Sequence, residues 1–293
     1  MLNHRNSAYE PPRRVVVIGC RGVIGRALCN LFDVNGIPFL PLSSDDVDLL
    51  NDDATERLSE LLEPSDSLVM LSALTPDKGR DRNTFMRNIR MANAVCGAIE
   101  RKPVSHIVYM SSDAVYPMGT ELLTEESCAA PEDLYGTMHR VREILFADAA
   151  KDVPLAILRC TLVCAATDTH NSYGPNRFRR VAREEGKITL GGAGEETRDH
   201  ISVDDVAKII QQAVGFRSSG VLNIATGRSL SFDAVARSVA ECFDPPADVI
   251  HSPRSAPITH RHFDISALRR AFPDLRLTRI EDAIRSIHDA SGN

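Results

Sequence analysis

Short runs of aliphatic and β-branched residues alternate along most of this 293-residue chain with longer amphipathic stretches, the pattern of a parallel sheet covered by helices. Val15-Val16-Val17-Ile18 is apolar at successive positions, as a strand buried on both faces requires. Residues 26–34 read as a helix. Residues 37–42 form a second strand candidate, weakened by Pro38 and Pro41, which cannot donate to a ladder. Helices are expected over 54–62 and 84–100, with buried strands over 67–71 and 106–110. A helix over 135–150 and a strand over 154–158 continue the alternation. From residue 165 the rhythm breaks into loops rich in Gly, Asn and Thr, then resumes as a helix over 203–214 and a strand over 221–224.

Composition narrows the class of protein without naming it. Hydrophobic residues at 43 % and charged ones at 25 % describe an ordinary globular chain with a large core. A net charge of −6 supplies no basic stripe, so nucleic acid is not an expected partner. No stretch approaches the roughly 20 apolar residues that span a bilayer, so a membrane is not expected either. Residues 1–12 are polar, lack the apolar core of a signal peptide and read as a loose tail. The seven cysteines follow no CxxC frame and fit reduced thiols, hence a cytoplasmic location. Cys160 and Cys164 read as buried fillers.

Gly19-Cys20-Arg21-Gly22-Val23-Ile24-Gly25 lies between the first strand and the first helix. Gly19 suits a sharp turn, Gly22 a close approach of pyrophosphate to the backbone, and Gly25 tight packing of helix on strand. Free N–H groups at the helix start would face the phosphates. With the strand before and the helix after in place, the loop reads as a dinucleotide site rather than a plain turn.

The GxxGxxG spacing, Ser111-Ser112-Asp113-Ala114-Val115-Tyr116 after a strand, and Tyr135-Gly136-Thr137-Met138-His139 beyond it together resemble the extended short-chain dehydrogenase/reductases. Within that group the match is to the NAD-dependent epimerase/dehydratase family, which modifies nucleotide sugars. Arg198-Asp199-His200-Ile201-Ser202-Val203-Asp204-Asp205-Val206-Ala207 looks like its RDxIxVDDVA segment, and Asn223-Ile224-Ala225-Thr226-Gly227 extends the match. The resemblance implies an α/β fold: a Rossmann-type doubly wound parallel sheet with a small interleaved substrate domain. The expected division is a tail over 1–12, a dinucleotide domain over 13–165 plus 201–226, and a substrate domain over 166–200 plus 227–293.

Residue by residue, the resemblance makes Tyr135 the group that exchanges a proton with the reacting oxygen and Ser112 the group that orients it. Asp113 follows in the place of a catalytic acid, but Ala114 stands where the dehydratases carry Glu, so dehydration is not expected. Gly19, Arg21, Gly22, Val23, Ile24, Gly25, Ser43, Asp48, Leu49, Ala73, Asn88, Tyr135 and His139 are the implied cofactor contacts. Ser112, Asn171, Asn176, Arg177 and Arg198 are the implied substrate contacts, with Arg198 on a diphosphate. Asp48 could instead cap a helix, and Arg198 could instead pair with Asp199. Asp45 and Asp46 beyond the second strand favour NAD, whereas Ser43, Ser44 and Arg21 would suit the 2′-phosphate of NADP. The expected partner is a nucleoside-diphosphate sugar, and the expected assembly a homodimer packed through the helices of Asn88 and Tyr135. His251, His260 and His262 have no Cys or carboxylate at metal-site spacing.

The departure from the family lies at His139, where the resemblance calls for lysine. That lysine stays cationic, lowers the tyrosine pKa and hydrogen-bonds the nicotinamide ribose. Histidine titrates near 6.5, so the expectation is a working pair only if His139 is protonated or polarised by bound cofactor. Arg140 lies one residue further round the helix and points elsewhere. An NAD(P)-dependent epimerase or ketoreductase is therefore expected, that is, an isomerase or an oxidoreductase. The other readings are a non-catalytic dinucleotide-binding sensor or scaffold, and a reductase of a non-nucleotide metabolite.

Overall fold

A computed structural model describes residues 1–119, 121–166 and 174–290. Along the first half, strands β1 (Val15–Ile18), β2 (Phe39–Leu42), β3 (Ser67–Met70) and β4 (His106–Ser112) alternate with helices α1 (Val23–Val34), α2 (Ala54–Leu61) and α3 (Arg82–Arg101). There follow β5 (Leu122–Leu123), α4 (Leu134–Ala149), β6 (Leu155–Cys160), β7 (Leu162–Cys164), α5 (Pro175–Glu185), β8 (Lys187–Gly191), β9 (Thr197–Arg198) and β10 (His200–Ser202). The chain ends through α6 (Val203–Gly215), β11 (Gly220–Ile224), β12 (Leu230–Ser231), α7 (Phe232–Ala240), β13 (Asp248–Ser252), β14 (His262–Phe263), α8 (Ser266–Ala271) and α9 (Ile280–Ala290).

Six strands form one parallel sheet in the order β11-β6-β4-β3-β1-β2, the doubly wound arrangement expected. The chain steps from β1 outward to β2 and then back to β3 on the other side of β1. The crevice for a ligand therefore opens beyond the carboxyl ends of β1 and β3. β1 and β3 are buried at every position, which explains why both read as unbroken apolar runs. α1 and α6 pack against each other on one face, while residues of α2, α3 and α4 share a core on the other. α5 and β8 of the loop-rich region join the later α7, β13 and α9 in a smaller apolar cluster around Phe178, Ile188, Val235 and Ile284. Phe263, Ile265 and Leu268 return to the main core instead.

The first dozen residues depart from the expected loose tail. Asn3 exchanges backbone hydrogen bonds with Ser219 at 2.8 and 2.7 Å. The His4 ring bonds Ser218 Oγ and the Ala271 carbonyl, each at 2.8 Å, and stacks on Phe216. Tyr9 meets the edge of the same phenylalanine. A polar sequence conceals this because the anchoring is by aromatic contact and main-chain bonds rather than by an apolar run.

Helix α4 is held by a buried polar network. Glu143 accepts from Arg159 Nε at 2.9 Å and Nη2 at 2.8 Å, and from Ser111 Oγ at 2.7 Å. Arg159 also donates to Tyr116 Oη at 2.8 Å, and Tyr116 donates to Asn223 Oδ1 at 2.8 Å. Three parallel strands, β4, β6 and β11, are thereby tied to one carboxylate on α4. Among the buried histidines, burial above all lowers the pKa values of three: His106 to about 4, His139 to about 3 and His200 to about 4.

Two outcomes follow for stability. Glu143→Ala strands the Arg159 charge and is expected to cost about 3–5 kcal/mol, whereas Glu143→Leu with Arg159→Met recovers most of it. Urea unfolding reads this directly, and a single variant as stable as the double refutes it. In acid, the unfolded chain protonates each histidine near pH 6.5 while the folded chain does not until about pH 4 or 3. Stability is thus intact above that unfolded pKa and drains below it, by up to about 1.4 kcal/mol per pH unit for each group. A denaturation midpoint that stays flat from neutral pH down to about 4.5 contradicts this.

Candidate active site

The glycine loop follows β1 at the opening of the crevice. Gly19 has φ +92°, and a Cβ there would lie 2.8 Å from Ser72 N at the end of β3. A Cβ on Gly25 would fall 2.3 Å from Gly19 O, so helix and turn touch backbone to backbone. Gly22 meets only Gly19 O, at 3.2 Å, which leaves its outer side open. It is also the N-cap of α1, which has no side-chain cap and no acidic residue in its first turn. α3, α4, α6 and α7 are instead capped by Asp81, Asp133, Ser202 and Ser231. The leading N–H groups of α1 thus keep their hydrogen-bonding capacity for an anion, and the cradle fits a dinucleotide pyrophosphate. Val23 and Ile24 are half-buried in that first turn, as is Ala73 after β3.

Beyond β2 the polar residues satisfy one another. Ser43 donates through N and Oγ to Asp46 Oδ2 at 2.8 and 2.7 Å, and these bonds hold the Asp46 carboxyl below its ordinary range. Arg21 forms an exposed ion pair with Asp45, so the two candidates for opposite cofactor preferences face each other. Asp48 accepts from Leu50 N at 3.0 Å and closes a turn, and Leu49 is buried. Asn88 is fully engaged with Leu74: its Oδ1 accepts from Leu74 N at 2.8 Å and its Nδ2 donates to Leu74 O at 3.0 Å. It fastens the segment after β3 and borders a cleft of about 110 Å³ shared with Asp81, Tyr135 and Met138.

α4 starts where Asp133 accepts from Gly136 N at 2.7 Å. A Cβ at Gly136 would lie 2.0 Å from the Ala114 carbonyl, so glycine alone lets the helix close on the turn Asp113–Val115. That approach brings Tyr135 to Ser112. The Tyr135 pKa is pushed up, first by burial and then by Asp113, while hydrogen bonding to Ser112 and the charge of Arg142 oppose the rise. His139 stands edge-on to the Tyr135 ring with centroids 4.8 Å apart. Its Nδ1 lies 2.8 Å from Tyr109 Oη, and its Nε2 is buried with no partner. Burial and then Arg142 push its pKa down to about 3, so the ring is neutral, and of the two conditions set for a working pair the protonated one is not met. Arg140 turns away to Glu143 at 3.1 Å.

On the substrate side, Asp113 is paired with the buried Arg261 at 3.0 Å, so its carboxylate is not a free acid. Arg261 also donates to Tyr116 O at 2.8 Å. Arg198 donates to the carbonyls of Thr197 and Thr259, each at 2.8 Å, and lies over the Phe232 ring. Burial, then Arg261, lowers its pKa. Asp199 does not pair with it, accepting instead from Thr226 N at 2.8 Å, Thr226 Oγ1 at 2.9 Å and Arg228 N at 3.0 Å. Asn176 is committed to the backbone, accepting from Ala165 N at 3.0 Å and donating to Val163 O at 2.9 Å, and Arg177 is half-buried on α5. Asn171 lies outside the described residues. His260 and His262 share the Thr197 hydroxyl at 2.8 and 3.2 Å.

Two arginines escaped the sequence reading. Arg261 sits 148 residues from its partner Asp113, in a His-containing stretch with no helical or strand period to mark it. Arg142 had a usable signal: it is two helical turns from Tyr135 and one from His139, on the same face.

The model of the NAD dependent epimerase/dehydratase family matches residues 15–225. Among solved structures, a GDP-L-fucose synthetase from Naegleria fowleri superposes with a TM-score of 0.84 at 17 % identity, covering 98 % of this chain and 95 % of that one. A UDP-N-acetylglucosamine 4-epimerase from Methanobrevibacter ruminantium M1, in complex with UDP-N-acetylmuramic acid, gives 0.81 at 18 % identity, over 95 % and 97 %. RMD from Pseudomonas aeruginosa, complexed with NADPH, gives 0.83 at 19 % identity, over 94 % and 98 %. At these identities the three superpositions speak to the fold, which is the same throughout. The family match spans the glycine loop, Ser112, Tyr135 and the segment from Arg198 to Ala207, and the chain belongs to the NAD dependent epimerase/dehydratase family.

Proposed function

We propose that this chain is an NAD(P)-dependent epimerase or ketoreductase of a nucleoside-diphosphate sugar. The observation that carries this reading is the meeting of Ser112 and Tyr135 beside an uncapped glycine-loop helix, on the cofactor side of the parallel sheet. In this reading Gly19, Arg21, Gly22, Val23, Ile24 and Gly25 hold the pyrophosphate, with Ser43, Asp48 and Leu49 at the adenosine end and Ala73 beneath the ribose. Asn88 acts at one remove, through Leu74. The bound nicotinamide supplies a hydride acceptor and donor. Tyr135 takes or returns the proton of the sugar oxygen, and Ser112 orients that oxygen. Asp45 beside Arg21 favours NAD, since a 2′-phosphate would meet its negative charge.

Arg261 is buried and paired with Asp113, and the half-buried Arg198 feels Arg261, Asp113 and Glu196, so two guanidiniums converge where a diphosphate would be clamped. Asp113 serves to position Arg261. Asn171, Asn176 and Arg177 belong to the region that meets the sugar or base, within a substrate domain of residues 166–200 plus 227–293. Met86, Leu134 and Ile144, exposed on α3 and α4, supply the apolar part of a homodimer contact. The neutral His139 lends weight to a second reading, a dinucleotide-binding protein without turnover.

Mass spectrometry of nucleotide released from the purified protein, followed by assay against UDP- and GDP-sugars, separates the two. Tyr135→Phe is expected to lower turnover by about 100-fold or more while cofactor binding persists. Bound NAD(P) with no turnover by the wild type against any sugar nucleotide supports the non-catalytic reading instead.

A further inference from the structure

Arg142 is buried completely, and among the described residues it has no carboxylate partner. Its Nη2 donates to the Ser72 carbonyl at 2.8 Å, its Nη1 lies 3.9 Å from Met138 Sδ, and its Nε has no partner. Its guanidinium rests 5.2 Å from the centre of the Tyr109 ring. A cation so enclosed is costly to keep, and a purely structural site would be served as well by an apolar side chain. Ser72 adjoins the glycine loop, because Gly19 packs directly against its amide. The guanidinium is thus anchored at the crevice and joined to Tyr135 through packed rings. It lies on Tyr109, whose hydroxyl meets His139, which stands edge-on to Tyr135. Its charge acts to lower the pKa values of both Tyr135 and His139.

His139 complements it. Tyr109 is un-ionised, since burial raises its pKa, and His139 Nδ1 is the partner its hydroxyl has among the described residues. The phenol therefore donates to Nδ1, and a neutral ring must then carry its proton on Nε2. Nε2 is the buried atom without a partner. It is an N–H donor held ready for an acceptor that a ribose hydroxyl would provide.

We propose that the two duties of the family's single lysine are divided here, His139 Nε2–H holding the nicotinamide ribose and Arg142 supplying the positive charge that activates Tyr135. This rests on the NAD(P)-dependent reading above. The other groups facing Tyr135 are Ser112 of β4, Asp113 with its partner Arg261, and Cys160 of β6. Those facing His139 are Tyr109 of β4, Tyr135 on its own helix and Arg142 itself. Among the described residues Arg142 is thus the unpaired cation against the tyrosine.

The test compares wild type, Arg142→Met, Arg142→Lys, Tyr109→Phe and the double variant Arg142→Met with His139→Lys. NAD affinity is read by calorimetry and the pH profile from turnover of a UDP-sugar. In Arg142→Met the rise in rate with pH is expected to move up by about one unit or more, because the tyrosinate loses its nearby cation. Arg142→Lys stays near wild type, and lysine at 139 restores the double variant to within about half a unit. Tyr109→Phe releases the tautomer and weakens NAD by about fivefold with little change in the pH profile. A folded Arg142→Met with the wild-type profile overturns the proposal. Should that variant not fold, a folded double variant whose profile remains displaced overturns it equally. If no UDP-sugar turns over, NAD affinity decides: loss in Arg142→Met that lysine at 139 does not restore overturns the division of duties. Wild type that binds neither NAD nor NADP defeats the functional reading itself.

Discussion

The ion pair between Glu143 and Arg159 sets the rotation of α4, and nearly everything in the site depends on that rotation. Tyr135, Met138, His139, Arg142 and Phe146 share the inward face of this one helix. Two donors from β6 and one from β4 converge on the Glu143 carboxylate, so a roll of the helix by one residue would break three hydrogen bonds at once. A hydrophobic pair of equal volume would stabilise the fold as well. It would not discriminate one rotation from its neighbours as sharply. Gly136 supplies the second constraint, because its contact with the Ala114 carbonyl fixes how far the helix start descends onto the turn bearing Ser112 and Asp113.

Much of this was legible in the chain. The sheet was readable because parallel strands are covered on both faces, so Val15-Val16-Val17-Ile18 and Ser67-Leu68-Val69-Met70 cannot be mistaken for surface. The ends of elements were less so: α1 starts at Val23 and not after the glycine loop, since the loop is itself the helix cap. The region after residue 165 read as loop, yet α5 carries a buried face of Phe178, Arg179 and Ala182. Its four arginines and terminal glutamates mask the apolar stripe. The N-terminal segment read as loose because what holds it, His4 and Tyr9 against Phe216, is a tertiary contact between aromatic rings.

The site was legible in its parts rather than its pairings. The segment from Arg198 to Ala207 was legible as a family segment with Arg198 as its substrate candidate, and most of its other polar residues are joints. Asp199 fastens the turn at Thr226, Ser202 caps α6, and Asp205 accepts from Thr278 N. Of this run, Arg198 remains the residue placed beside a buried cation, Arg261. Residue type and spacing cannot separate a clamp from a ligand contact, since both call for short acids and hydroxyls next to strand ends.

Asp113 shows why charge in this site has to be counted as a set. Its negative charge raises the Tyr135 pKa, yet the same carboxylate is paired with Arg261 across 148 residues of sequence. Any anion that engages Arg261 competes for the guanidinium that restrains Asp113. On the proposed reading, binding of a diphosphate at Arg261 and proton affinity at Tyr135 are then linked through one ion pair. Arg142 answers that carboxylate with an opposing charge on Tyr135, enclosed against the Tyr109 ring and tied to the Ser72 carbonyl. A neutral imidazole at position 139 is tolerable in such a field. A lysine there would have added a second cation beside Arg142, where burial already disfavours a protonated ring.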